Sequence, residues 1–257
     1  MRLIDSHCHL DLAAFDIDRD IVMQRASENG ISDVIIPAVQ ASGWGKLQAL
    51  VGQDNPLCVH AAYGLHPVFD PFHSEHDLVL LEQQLGQSCV AVGECGLDFF
   101  IDDYDCTRQL AFFTAQLDLA VQFQLPVIIH SRKSLDLVLK ELRLRPSLQG
   151  VVHSFSGSEQ QAKQLIEQGF YLGFGGPITY PRANKLRRLV AELPLEWLLL
   201  ETDAPDQPDI TKRGQRNEPS WLPTVAACFA ELRGCSIEEV AEVTSCNSEC
   251  LFGLESG

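Results

Sequence analysis

No apolar stretch in this chain of 257 residues approaches the ~20 residues that a membrane-spanning helix needs. The N-terminus carries one Arg and reaches His and Asp within seven residues, which is not the pattern of a signal peptide. The expectation is a soluble, cytoplasmic protein with no membrane partner and no obligate protein partner. No two cysteines form CxxC, although nine are present. An odd number scattered from Cys8 to Cys250 argues against a disulfide framework and against a structural zinc cluster. Cys246 and Cys250, four apart, would share a helical face, and the general burial of free cysteine makes them small buried hydrophobes. Positive charge is scarce: 19 Lys and Arg against 35 Asp and Glu leave a formal charge of −16. This disfavours nonspecific binding to nucleic acid over a broad basic surface. It does not exclude a nucleic-acid substrate, because bound divalent cations can carry the local positive charge. Linkers, low-complexity tracts and repeat periods are absent, so residues 1–257 are expected to form one domain. An aromatic-rich stacking platform is also missing, although Phe99, Phe100 and Tyr104 could stack one base.

What is present is a short apolar run, repeated, with a helical pattern after most of them. The runs lie within 2–10, 34–39, 57–64, 89–93, 126–130, 150–153, 171–176 and 197–200. Helices are expected over 16–29, 42–51, 75–85, 106–124, 134–144, 159–168, 181–193, 219–232 and 237–251. In the longest, Leu110, Phe113, Leu117, Ala120 and Val121 recur at helical spacing; in the first, Ile17, Ile21, Val22 and Met23 give a mixed apolar face. Ser158 with Gln161 and Ser236 with Glu239 have capping-box spacing. Alternating βα units imply a parallel sheet with right-handed crossovers. Eight units in a chain of this length point to an α/β fold, a (β/α)8 TIM barrel, with an open doubly wound sheet as the alternative.

The polar residues at the strand ends carry the chemistry. In Asp5-Ser6-His7-Cys8-His9, His7 and His9 are two apart and project to the same face of a strand. Two imidazoles at that spacing can begin a site for a borderline divalent metal, or can be two ordinary histidines near a terminus. Glu94 ends the fourth strand, His130 the fifth, His153 the sixth and Asp203 the eighth. Each stands at the C-terminal end of an apolar strand, the face on which barrels build active sites. Each alone has a plain structural reading; four His, one Glu and one Asp on one rim do not.

The motifs D-S-H-C-H-L-D, G-L-H-P, G-E-C-G-L-D, V-I-I-H-S-R, V-H-S-F-S-G, L-E-T-D-A-P and R-N-E-P, spread from residue 5 to 219, resemble the TatD family of metal-dependent hydrolases and deoxyribonucleases. The resemblance implies a barrel of the amidohydrolase type, divalent metal at the site, two cations per subunit, and cleavage of ester bonds, typically the phosphodiesters of DNA. It makes His7, His9, Glu94, His130, His153 and Asp203 the metal ligands, with Glu94 bridging two metals. Two positions depart from the family pattern. Asp206 stands where an aromatic residue often follows T-D-A-P, which bears on substrate class, and Cys95 replaces an aliphatic residue in G-E-x-G-L-D.

Such a centre clamps the attacking and leaving oxygens and lowers the pKa of water. Asp203 is expected to serve also as general base, with Glu94 the other catalytic carboxylate. His66, in Gly64-Leu-His-Pro67, is placed in the substrate shell, together with Arg132, Ser154, Arg216 and Asn217. Glu218 is expected to hold Arg132 or Arg216. Two basic clusters, Arg182-Lys185-Arg187-Arg188 and Lys212-Arg213-Arg216, are read as a solvated helix face and as a contact for a nucleic-acid backbone. Metal identity (Zn, Mg or Mn) stays open. Two other functions are kept: the same barrel hydrolysing another ester or amide, such as an aminoacyl-tRNA ester, and a metal-binding scaffold without turnover.

Overall fold

A computed structural model of the chain describes residues 1–255; the last two residues of the expected domain lie outside the described residues. Eight strands are ordered as they occur along the chain: β1 (Leu3–Asp5), β2 (Ile31–Pro37), β3 (Cys58–Tyr63), β4 (Ala91–Asp98), β5 (Val127–Arg132), β6 (Gly150–Val152), β7 (Phe170–Phe174) and β8 (Leu198–Leu200). Their pairings are parallel. Between and after them come α1 (Arg19–Glu28), α2 (Trp44–Val51), α3 (Glu75–Leu85), α4 (Cys106–Phe123), α5 (Leu135–Arg143), α6 (Glu159–Glu167), α7 (Asn184–Glu192), α8 (Leu222–Arg233) and α9 (Ile237–Phe252). The first and last strands are joined as well, since Ser6 N donates to Leu200 O at 3.0 Å. This is the topology of a (β/α)8 barrel; a doubly wound sheet would permute the strand order. Among the described residues no helix is long and apolar enough to cross a membrane.

The chain packs as two compact units. The first holds residues 1–36, 50–60 and 172 onward. Its strands are apolar on both faces, with Leu3, Ile4, Val34, Ile35 and Leu198 to Leu200 buried, as parallel strands covered by helices require. Phe229 of α8 meets Phe174 edge to face, with ring centroids 6.2 Å apart. Asn247 of α9 donates to Leu195 O (2.9 Å) and Leu198 O (2.8 Å), tying that helix to the start of β8. Ser236 caps α9 by accepting from Glu239 N.

The second unit holds residues 37–49 and 61–171. Val92, Leu97, Ile128, Ile129, Val151 and Val152 fill its sheet. On α4, Phe113, Leu117 and Ala120 are buried as the spacing predicts, while Val121 is partly exposed. Gln109 and Gln116 are also buried there, and each clasps the backbone of a strand end. Gln116 accepts from Leu65 N (2.7 Å) and donates to Leu65 O (3.1 Å); Gln109 does the same for Asp98 N (2.9 Å) and O (3.1 Å). The capping box of Ser158 and Gln161 opens α6.

Two expectations are corrected. The first helix begins at Arg19, not at residue 16, and leaves Ile17 99% exposed and Ile21 58% exposed. A short 3-10 turn buries Phe15 just before it, and Arg19 binds Leu10 O and Leu12 O, so the inward face is Val22, Met23 and Ala26. Cys246 and Cys250 are exposed, as are Cys58 and Cys106; Cys8, Cys95 and Cys228 are buried. Helix α9 turns Val240, Thr244, Leu251 and Phe252 inward, so the shared face of the two thiols points to solvent.

Candidate metal-binding clusters

In the first unit the backbone beyond β1 brings three ligand-type side chains together. His9 N donates to Ala204 O (2.8 Å) and Asp203 N donates to His7 O (2.9 Å). The Nε2 atoms of His7 and His9 stand 3.1 Å apart, at 3.5 and 3.6 Å from Asp203 Oδ1. Both rings are buried. Asp203 has φ +56°, a left-handed conformation that Asp tolerates better than most residues. Its Oδ2 accepts from the Gln207 amide, which fixes the carboxylate plane. Below lies Asp5, fully buried. Burial pushes Asp5 up to about 7, even though Thr202 N (3.0 Å), Thr202 Oγ (2.6 Å) and His7 N (3.3 Å) all donate to it.

In the second unit three imidazole nitrogens converge on one carboxylate oxygen. Glu94 Oε1 is 3.0 Å from His66 Nε2, 3.1 Å from His130 Nδ1 and 2.8 Å from His153 Nε2. Glu94 and His130 stand inside their strands rather than at the ends, because β4 and β5 run on together to Asp98 and Arg132. Gly96 makes that possible. It pairs with His130 at φ +145°, and a Cβ there would lie 2.0 Å from His130 O. Gly64 plays a similar part, since its Cβ would lie 2.9 Å from Glu94 O. His153 follows β6 directly, with its N donating to Ile129 O (3.1 Å), and Ser154 then turns the chain at φ +46°.

Partners fix the ring tautomers. His130 Nε2 lies 2.9 Å from Asp98 Oδ2, so its proton goes there and the Nδ1 lone pair faces Glu94. Burial would lower the His130 pKa, but bonding to Asp98 and Glu94 outweighs it and raises it. Burial would likewise raise that of Asp98, but the bonds from His130 and Phe100 N bring it down. His66 is different. Its Nδ1 accepts from Val68 N at 3.0 Å, so the neutral ring carries its proton on Nε2 and donates towards Glu94. The donor sets therefore fit a divalent cation: nitrogen lone pairs with a single carboxylate in each cluster, a mixture suited to borderline ions.

The expected substrate-shell residues fall in different surroundings. Arg132 stays in β5 on the side of His130, reaching Asp98 Oδ2 at 3.4 Å and lying 4.2 Å from the centroid of Phe100. It does not enter a loop. Arg216 pairs with Asp18 through both nitrogens (2.8 and 2.7 Å) and covers the Phe15 ring. Asn217 is buried; its amide donates to Thr202 O and Asp206 O (both 2.8 Å), and its oxygen accepts from Glu218 N. Glu218 holds neither Arg132 nor Arg216 but Arg25 of α1, at 2.6 and 3.1 Å, because residues 217–219 fold back onto that helix. In the basic clusters, Arg187 donates to Ile178 O (3.0 Å) and Lys212 lies over Trp221.

Two residues of these surroundings were not singled out from sequence. Asp98 had a signal: it is four residues from Glu94, hence on the same face of one strand. Gln207 had none, because a loop has no periodicity to read.

A family model described as TatD related DNase matches residues 4–253. An Escherichia coli K12 protein named as an uncharacterized metal-dependent hydrolase, YjjV, is 43% identical over 257 residues, covering 98% of each chain. The 3'-5' ssDNA/RNA exonuclease TatD of Erwinia amylovora is 36% identical over 261 residues, covering 98% of this chain and all of its own. The crystal structure of YjjV, a TatD homolog, superposes with a TM-score of 0.94 at 42% identity, covering 99% of both chains.

Proposed function

Because the chain belongs to the TatD family of metal-dependent hydrolases, we propose that its two clusters hold one divalent cation each and act together on a phosphodiester of DNA. The observation that carries this reading is the pair of donor sets, His7, His9 and Asp203 in one unit and Glu94, His130 and His153 in the other. Glu94 would help hold the cations, as the carboxylate on which His66, His130 and His153 converge. The family model's description and the name of the Erwinia relative support nucleic acid as the substrate class. The family match runs across both units, which supports a single domain. We place the protein in the cytoplasm and leave Zn, Mn and Mg as candidate ions, since imidazole-rich sets accept several.

Cations held there would supply Lewis acidity and make water more acidic. The chain's own groups do the rest. Asp203 accepts the proton of the attacking water, with Gln207 holding its carboxylate in place. His66 donates its Nε2 proton to a non-bridging phosphate oxygen, which its tautomer permits. Arg132 faces the same anion with about half of its side chain exposed, and Ser154 adds a hydroxyl. Arg216 and Asn217 act at one remove, fixing the segment after β8 through Asp18, Thr202 and Asp206.

Single-stranded DNA, aminoacyl-tRNA and a generic phosphodiester, each incubated with Mg, Mn or Zn, test the reading. DNA is expected to be cut. If only the aminoacyl ester is cleaved, the nuclease assignment fails. Asp203→Asn is expected to lower turnover about a thousandfold with an unchanged circular dichroism spectrum; surviving activity would remove Asp203 as the base.

A further inference from the structure

A cavity of about 590 Å³ lies in the second unit, lined among others by Phe99, Ser131, Lys133, Phe155, Ser156 and Gln161. Its size is that of a small-ligand pocket, about 300–1,000 Å³. Ser131 alternates with His130 and Arg132 along β5, so the cavity opens on the face of that strand opposite the metal ligand. Three features adjoin its lining residues Phe99 and Lys133. Phe100, 55% exposed, carries two cations on one ring: the Arg132 guanidinium 4.2 Å and Lys133 Nζ 4.5 Å from the centroid. Lys133 is held there in a left-handed conformation, φ +55°, and among the described residues no carboxylate pairs with it. Phe99 stacks on Tyr104 with centroids 4.8 Å apart and an 18° interplanar angle, and Tyr104 is 42% exposed.

Two cations on the same ring repel each other, and each gains only weakly from an exposed ring face. Arg132 already reaches Asp98, so on a chain of net charge −16 it is Lys133, without a carboxylate partner among the described residues, that marks a place for an anion. The neighbouring aromatic pair and the cavity add surface suited to a flat, apolar group. A phosphate joined to a nucleobase has both features. We infer that this cavity, with Lys133 in its lining and Phe100 beneath that lysine, is a subsite for the nucleotide that flanks the scissile bond of a single-stranded nucleic acid. Lys133 takes that nucleotide's phosphate, while Arg132 stays with the anion at the metal clusters, and Phe99, which lines the cavity and is backed by Tyr104, takes the base. The substrate class rests on the nuclease reading above; the location rests on the cavity and Lys133.

Binding is measured by fluorescence anisotropy, with a labelled tetranucleotide and the full-length protein in excess chelator, so that no cleavage intrudes. Phe100→Ala and Lys133→Gln are each expected to weaken binding about tenfold, with melting temperatures unchanged. Lys133→Gln should also reduce the salt slope of log K by about 0.7, and Lys133→Arg should restore affinity. Lys163→Gln, on α6 and paired with Glu159, serves as the charge control and should bind as wild type. Equal affinity in all variants, or no binding by wild type, overturns the subsite. If wild type binds with these dependences yet cuts no oligonucleotide when metal is restored, the nuclease reading fails and the subsite stands.

Discussion

His66 and His130 sit against the same oxygen of Glu94, and their other ring nitrogens decide what each can do. Val68 N–H occupies Nδ1 of His66, making it a donor; Asp98 takes the proton of His130 and frees its Nδ1 lone pair. Asp98→Asn removes the anion that orients His130, and metal affinity is expected to fall about 10- to 100-fold, read by competition with a chromophoric chelator. Away from the clusters, Asp33 shows a clear linkage to pH. Burial alone would raise its pKa, but bonds from His60, Ser32 and Arg2 outweigh that and bring it down to about 2. A depressed carboxylate stabilises the fold above its unfolded pKa of ~4, and the contribution is lost as pH falls through about 2. Asp33→Asn is therefore expected to cost about 2 kcal/mol at pH 7 and almost nothing at pH 2, measured by urea unfolding at both. That His60, near the start of β3, answers to this pair and not to a metal is a matter of its neighbour on β2, which spacing along the chain does not reveal.

At the scale of elements, α4 does more than cover the sheet. Gln109 and Gln116, seven apart and so on one face, act as a short strand edge towards Asp98 and Leu65. Asp98 is itself the residue that orients His130, and Leu65 precedes His66. Gln116→Leu leaves the buried N–H and C=O of Leu65 without partners and is expected to destabilise the protein by about 2–4 kcal/mol in denaturant titration. The apolar members of this helix were legible from their spacing; its glutamines were not, because a polar residue at helical spacing usually marks the solvent side. The cap of α6 was legible too, since the capping bonds of Ser158 and Gln161 close within their own turn, although the Gln161 amide also donates to Asp136 of α5 at 2.6 Å. The starts of α1 and the full lengths of β4 and β5 were not. They depend on Arg19 reaching Leu10 O and on Gly96 admitting His130 O, both contacts between separate segments.

For the whole molecule, clusters of carboxylates and imidazoles in a protein of net charge −16 should couple metal to stability. Adding Zn or Mn at a hundredfold excess over Kd is expected to stabilise the native state by about 2.7 kcal/mol per site and raise Tm, and chelator should reverse the shift in calorimetry. The strand count and the barrel class were determined by the sequence alone, whereas Glu94 and His130, read as strand ends, stand inside β4 and β5. Alternation of apolar runs with helical periods is a local property, and a His, Glu or Asp closing or interrupting an apolar run is visible without knowing its neighbours. Tertiary structure decided the rest: which oxygen His66, His130 and His153 share, which ring nitrogen keeps the proton, that Arg216 and Glu218 spend their charge on Asp18 and Arg25, and that two cations meet on Phe100. Hydrogen bonds and ion pairs act over about 3 Å, and residues far apart in the chain come within that range only when the packed core fixes their backbones.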